Sequence, residues 1–87
     1  MKKGETTNGF KFSVEDNVLD DMELVDAMAE AEDGEPKAVS LVVEKILGKE
    51  QRKKLYDHVR EKDGRVPTEP VMKAIGEIID SFNEGKK

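Results

Sequence analysis

His58 is the only histidine in an 87-residue chain that has no cysteine. A metal centre needs further nitrogen or sulfur ligands, and a nucleophile–base pair needs a third group to orient the imidazole. Asp57 is adjacent in sequence, and successive residues of a helix point to different sides. His58 therefore reads as a titrating surface residue. Serines and threonines lie at no recognisable spacing from a base, and no glycine-rich phosphate loop occurs. The acidic run Glu30-Ala31-Glu32-Asp33-Gly34-Glu35 invites comparison with a calcium loop, in which oxygens alternate around a glycine and a glutamate closes the twelfth position. Counted from Asp33 the twelfth residue is Glu44, but Pro36, Ala38 and Leu41 intervene where such a loop needs other residues. The expectation is that the chain is not an enzyme and has no catalytic residue, cofactor or metal site.

Gln51-Arg52-Lys53-Lys54 is a basic cluster. Nucleic-acid binding would need more bases on the same face and aromatic side chains for stacking. A helix-turn-helix reading of the second and third helices would need base-reading polar residues on an exposed helix face. The charge distribution argues against both. The net charge is −5, yet residues 13–36 hold ten acids and no base, while residues 37–65 hold nine bases against five acids. The acidic block would repel a duplex and attract a basic protein segment. The basic cluster is expected to balance the acidic first helix within the molecule. No run approaches the ~18 apolar residues of a membrane span, and no apolar stretch follows Lys2-Lys3, so no signal peptide is expected.

The elements that would position these groups can be read from periodicity. Phe10, Phe12 and Val14 alternate with Lys11 and Ser13, the period of a strand with one buried face. A first helix is expected over about 17–32, with Val18, Met22, Val25, Met28 and Ala29 inward, Asp16 or Asp20 at its start and Gly34 as its stop. Leu19 and Leu24 lie off that stripe. The second helix, about 36–47, begins at Pro36, buries Val39, Val42, Val43 and Ile46, and ends at Gly48. The third, about 49–62, turns Leu55, Tyr56 and Val59 inward and stops at Gly64. The fourth, about 69–83, is capped by Thr68 and buries Val71, Met72, Ile75, Ile78, Ile79 and Phe82. Gly76 inside it implies the close approach of another backbone. Met22, Met28 and Met72 read as core, with an adaptable binding surface as the alternative. Leu24 and Leu41 are the candidates for an exposed apolar patch. The fold class is thus mainly α: a small bundle of about four short helices with a short N-terminal extended segment or strand. A single helical domain spans 10–84, between flexible residues 1–9 and 85–87.

Several pieces, taken in order and spacing, resemble the shorter tail assembly chaperones of long-tailed (siphovirus-type) bacteriophages and prophages. They are Phe10-Lys11-Phe12, Asp20-Asp21-Met22-Glu23-Leu24, Asp33-Gly34-Glu35-Pro36, Ile46-Leu47-Gly48-Lys49-Glu50-Gln51, and Leu55-Tyr56-Asp57-His58-Val59 through Gly64-Arg65-Val66-Pro67. The similarity covers about Phe10 to Phe82, and where members often carry tryptophan this chain has Met22. The resemblance implies a helical protein that binds the tape measure protein before the tail tube polymerises around it. It implies residence in the cytoplasm of the bacterial host, absence from the mature virion, and self-association as a homo-oligomer. Members are often extended by a frameshift near the end of the gene, and Lys86-Lys87 fits an A-rich slippery run. Periodicity, not a family motif, nominates Leu19, Asp21, Leu24 and Asp26 as partner-binding residues. The alternative function is a small acidic helical protein-interaction adaptor or regulator.

Overall fold

The computed structural model describes residues 1–82. Two antiparallel strands, β1 (Lys2–Glu5) and β2 (Lys11–Val14), precede three helices, α1 (Met22–Glu32), α2 (Pro36–Val59) and α3 (Thr68–Ser81). The protein is mainly helical, as expected, with three helices where about four were anticipated. The difference lies in α2, whose hydrogen-bonded run carries the second and third expected helices across a break. Gly48 sits there at φ +80°, ψ 167°, a region essentially closed to residues with a Cβ.

The strand over 10–14 has a partner that the sequence reading did not supply. Residues 1–9, expected to be flexible, instead contain β1, which pairs Lys2 with Val14 and Gly4 with Phe12. The connection is a three-residue turn. Gly9 N–H donates to the Thr6 carbonyl at 2.9 Å and Thr6 N–H to the Phe10 carbonyl at 2.9 Å, with Gly9 at φ +88°. Gly9 takes the left-handed position that closes a three-residue hairpin. The same bonding recurs after α2: Gly64 N–H donates to the Glu61 carbonyl at 2.9 Å and Glu61 N–H to the Arg65 carbonyl at 2.8 Å. Gly64 therefore serves a turn, not a helix stop, and the helix ends earlier, at Val59.

One hydrophobic core joins β2 and the three helices. Phe10, Phe12 and Val14 are buried as their alternation predicts, together with Val42, Val43, Ile46 and Leu47 of α2 and Val71, Ile75 and Ile78 of α3. Leu24, Leu55, Ile78 and Val43 are the largest wholly enclosed side chains. The outer edge of β2 is closed by a side chain: Ser13 N–H donates to Gln51 Oε1 at 2.8 Å, and Gln51 Nε2 donates to the Ser13 carbonyl at 2.7 Å. A glutamine amide thus takes the place of a neighbouring strand at Ser13.

α1 differs most from expectation. It starts at Met22, with Asp21 as its cap, accepting from the N–H groups of Glu23 at 2.9 Å and Leu24 at 3.4 Å. Val18 and Leu19 lie in turns before it. Its inner face is Leu24, Ala27, Met28 and Ala31, while Met22, Val25 and Ala29 face outward. The expected inward stripe is thus mostly the outer one. α1 carries apolar residues on two stripes, so its own pattern does not choose between them. Gly34 ends it as read, with Glu35 N–H bonded to the Glu30 carbonyl and Gly34 N–H to the Ala31 carbonyl. Thr68 is the first residue of α3 and makes no capping bond. A Cβ at Gly76 would meet nothing within 4 Å, so no other backbone among the described residues approaches it. The expectation for residues 85–87 lies outside the described residues.

The two glycines make opposite predictions. Gly48→Ala forces a Cβ into a glycine-only conformation and is expected to lower stability by about 2 kcal/mol. Gly76→Ala meets open space in a helix interior and is expected to raise it by about 1 kcal/mol. Urea unfolding of the two variants checks both, and equal effects would contradict the assignment of Gly48 as the break.

Candidate functional site

Asp21 and Glu23 at the start of α1 share Lys45 of α2, at 3.7 and 3.3 Å. Exposed pairs of this kind contribute a few tenths of a kcal/mol, but they set the register of α1 on α2. Below this contact, Glu23, Asp26 and Glu30 border an open groove floored by Ala27 and Leu41, about 390 Å³ in volume. Leu41 is 42% exposed. On the far side of the acidic row, Met22 (68% exposed) and Val25 (46%) form the outer stripe of α1. The surface is therefore a row of carboxylates with one exposed apolar side chain, Leu41, on one side and the Met22 and Val25 stripe on the other. Among the described residues Asp26 and Glu30 take part in no ion pair.

The four nominated partner-binding residues do not share one surface. Asp26 lines the groove and Asp21 caps the helix at its end. Leu19 packs partly buried against the core. Leu24 is 1% exposed, so the exposed apolar patch expected of it belongs instead to Met22, Val25 and Leu41. Leu41 is exposed as anticipated. Met28 packs on the core, but Met22 and Met72 are surface residues, contrary to the core reading.

A second depression was not foreseen. Ala31, Val39, Tyr56, Val66, Val71 and Met72 line much of an uncharged cleft of about 540 Å³ between α2 and α3. It continues into a narrow fissure that reaches Val42, Val43 and Ile75 in the core. Met72, 47% exposed, stands at their junction. Its helical spacing could not separate an inward from a rim position.

The charged residues singled out for chemistry have structural partners. His58 Nε2 lies 2.7 Å from the Asn8 carbonyl, which can only accept, so the ring donates from Nε2 and pins the hairpin turn to α2. Arg52 pairs with Glu44 at 3.1 Å and lies over the Tyr56 ring. Lys53 pairs with Asp57 at 3.7 Å. The Arg60 hydrogen bond, aided by nearby Lys53, holds the Asp57 carboxyl below its ordinary value. Arg52 and Lys53 of the basic cluster are thus paired within α2 itself, and Lys45, outside the cluster, reaches α1. No group of three or more histidine, aspartate or glutamate side chains among the described residues could hold a metal ion. No described helix is long and apolar enough to cross a membrane.

Comparison with protein-family models, curated proteins and solved structures returned no significant match.

One contact between hairpin and α3 is pH-dependent. The Thr7 hydroxyl donates to Glu77 Oε2 at 2.6 Å and the Thr7 N–H to Oε1 at 2.7 Å. These bonds, the hydroxyl's first, lower the Glu77 carboxyl from its ordinary 4.5. The folded state thus favours the ionised form. The tether is complete above pH 4.5 and is lost as pH falls through the lower folded value. An NMR titration of the Thr7 amide should give a midpoint below 4.5, and Glu77→Gln should abolish it. A midpoint at or above 4.5 would contradict the tether.

Proposed function

We propose that this chain is a tail assembly chaperone of a long-tailed phage or prophage, which binds the tape measure protein during tail morphogenesis. On this reading it acts in the host cytoplasm and is absent from the finished virion. The observation that carries the proposal is the uncovered apolar surface of Met22, Val25 and Leu41, beside the α1 carboxylates Asp26 and Glu30, with Lys45 paired at the Glu23 end. Burying a side chain of this size contributes up to about 2 kcal/mol, and half-exposed residues retain roughly half of that for a partner. Covering apolar segments of a long polypeptide needs such ridges and no reactive group. The acidic surface speeds encounter, and the apolar contacts supply most of the affinity. The order and spacing of the phage-like segments from Phe10 to Phe82 give the client its identity.

Co-expression with the neighbouring tape measure product, followed by affinity capture of this chain, is expected to recover both proteins. Met22→Glu combined with Val25→Glu should cut recovery about tenfold with the circular dichroism spectrum unchanged, because both residues lie outside the core. Failure of the unaltered chain to recover the tape measure product would favour the alternative, an acidic adaptor for a cellular protein. A gene location outside any tail cluster would do the same.

A further inference from the structure

The acidic row on α1 has an unusual setting. Glu23, Asp26 and Glu30 recur at i, i+3 and i+7, so they form a line of about two helical turns, roughly 10 Å long. Around the helix that line lies between Ala27, which floors the groove shared with Leu41, and the outer stripe of Met22 and Val25. Lys45 is drawn to the Glu23 end, while Asp26 and Glu30 are without ion pairs among the described residues. Residues 13–36 supply no base to compensate them.

We propose that this groove is the docking site for a helical segment of the client bearing a row of lysines or arginines beside aliphatic residues. This rests on the client-binding reading above and names the class of segment bound. The recognition follows from charge complementarity and from the exposed apolar side chains beside the acids, Leu41 on one side and Met22 and Val25 on the other. Lysine or arginine heads reach Asp26 and Glu30, while their aliphatic stems lie over Leu41. Aliphatic residues one turn away on the partner cover Met22 and Val25. A helix is the fitting occupant because side chains three and four apart form a straight row that matches the row on α1. An acidic helix would be repelled, and a purely apolar one would leave the carboxylates uncovered.

The test uses the full chain and a synthetic amphipathic helix with leucines on one face and a flanking row of lysines. Its counterpart with glutamates in place of the lysines is the control. Fluorescence anisotropy should show binding of the lysine peptide, weakening as salt rises, and no binding of the glutamate peptide. Asp26→Lys combined with Glu30→Lys should weaken binding about tenfold or more. Leu41→Glu should also weaken it, with thermal unfolding checked for each variant. Amide shifts confined to α1 and the first half of α2 support the proposal. Undiminished binding to the double variant overturns it, as do shifts centred on Tyr56 and Met72. A dimer in light scattering that the double variant abolishes also overturns it, by making a second copy the occupant. If the double variant still recovers the tape measure product as well as the unaltered chain does, the docking site is wrong and the chaperone reading survives. If the unaltered chain binds the lysine helix here but recovers no tape measure product, the chaperone reading fails and the groove keeps its specificity.

Discussion

α2 is the element on which α1, α3 and the hairpin all pack, and it can meet all three only because it changes direction at residue 48. The backbone there, φ +80° and ψ 167°, belongs to glycine. Before the break, Val42, Val43 and Ile46 face the core near Leu24 and Ala27 of α1. After it, Gln51 reaches the edge of β2 and Leu55 enters the centre of the core. A straight helix of this length would extend roughly 36 Å and leave its far half uncovered. In a chain this small only about 60% of the unfolded surface can be buried, so the break brings both halves of α2 to a single core.

The same economy explains where the surface is left incomplete. α1 packs on α2 through Leu24 and Ala27 and presents its acidic and outer apolar stripes to solvent. Two ion pairs of α2 stay within the helix, Arg52 with Glu44 and Lys53 with Asp57. Only Lys45 reaches across to α1. The acidic block therefore remains largely uncompensated, and Leu41, Met22 and Val25 remain beside it. A protein that worked alone would gain by replacing those residues with polar ones.

Some features were legible because they depend on local chemistry. The alternation of Phe10, Phe12 and Val14 marked their buried face. Gly34 marked the end of α1, and Gly48 marked a boundary that proved to be a bend within α2. The spacing of Val71, Ile75 and Ile78 marked the inner face of α3. β1 was missed although Asn8-Gly9 is a strong hairpin signal, because Lys2-Lys3-Gly4-Glu5 shows no apolar alternation. Its place comes from pairing: Gly4 fits opposite Phe12, where an added Cβ would come within 2.8 Å of the ring. The inner face of α1 was misread because apolar residues occupy two of its stripes and because Val18, counted into one of them, precedes the helix.

By itself the sequence determined the mainly helical class, the places where the chain must turn, and the separation of charge between residues 13–36 and 37–65. Each follows from the side-chain periodicity, the turn residues or the composition of a short stretch. Only the tertiary structure decided that Leu24 is core while Met22 and Val25 are surface, and that Leu41 faces the acids of α1. Those outcomes depend on which stripe of a doubly apolar helix meets α2, and a helix's own pattern cannot express a choice made by its neighbour.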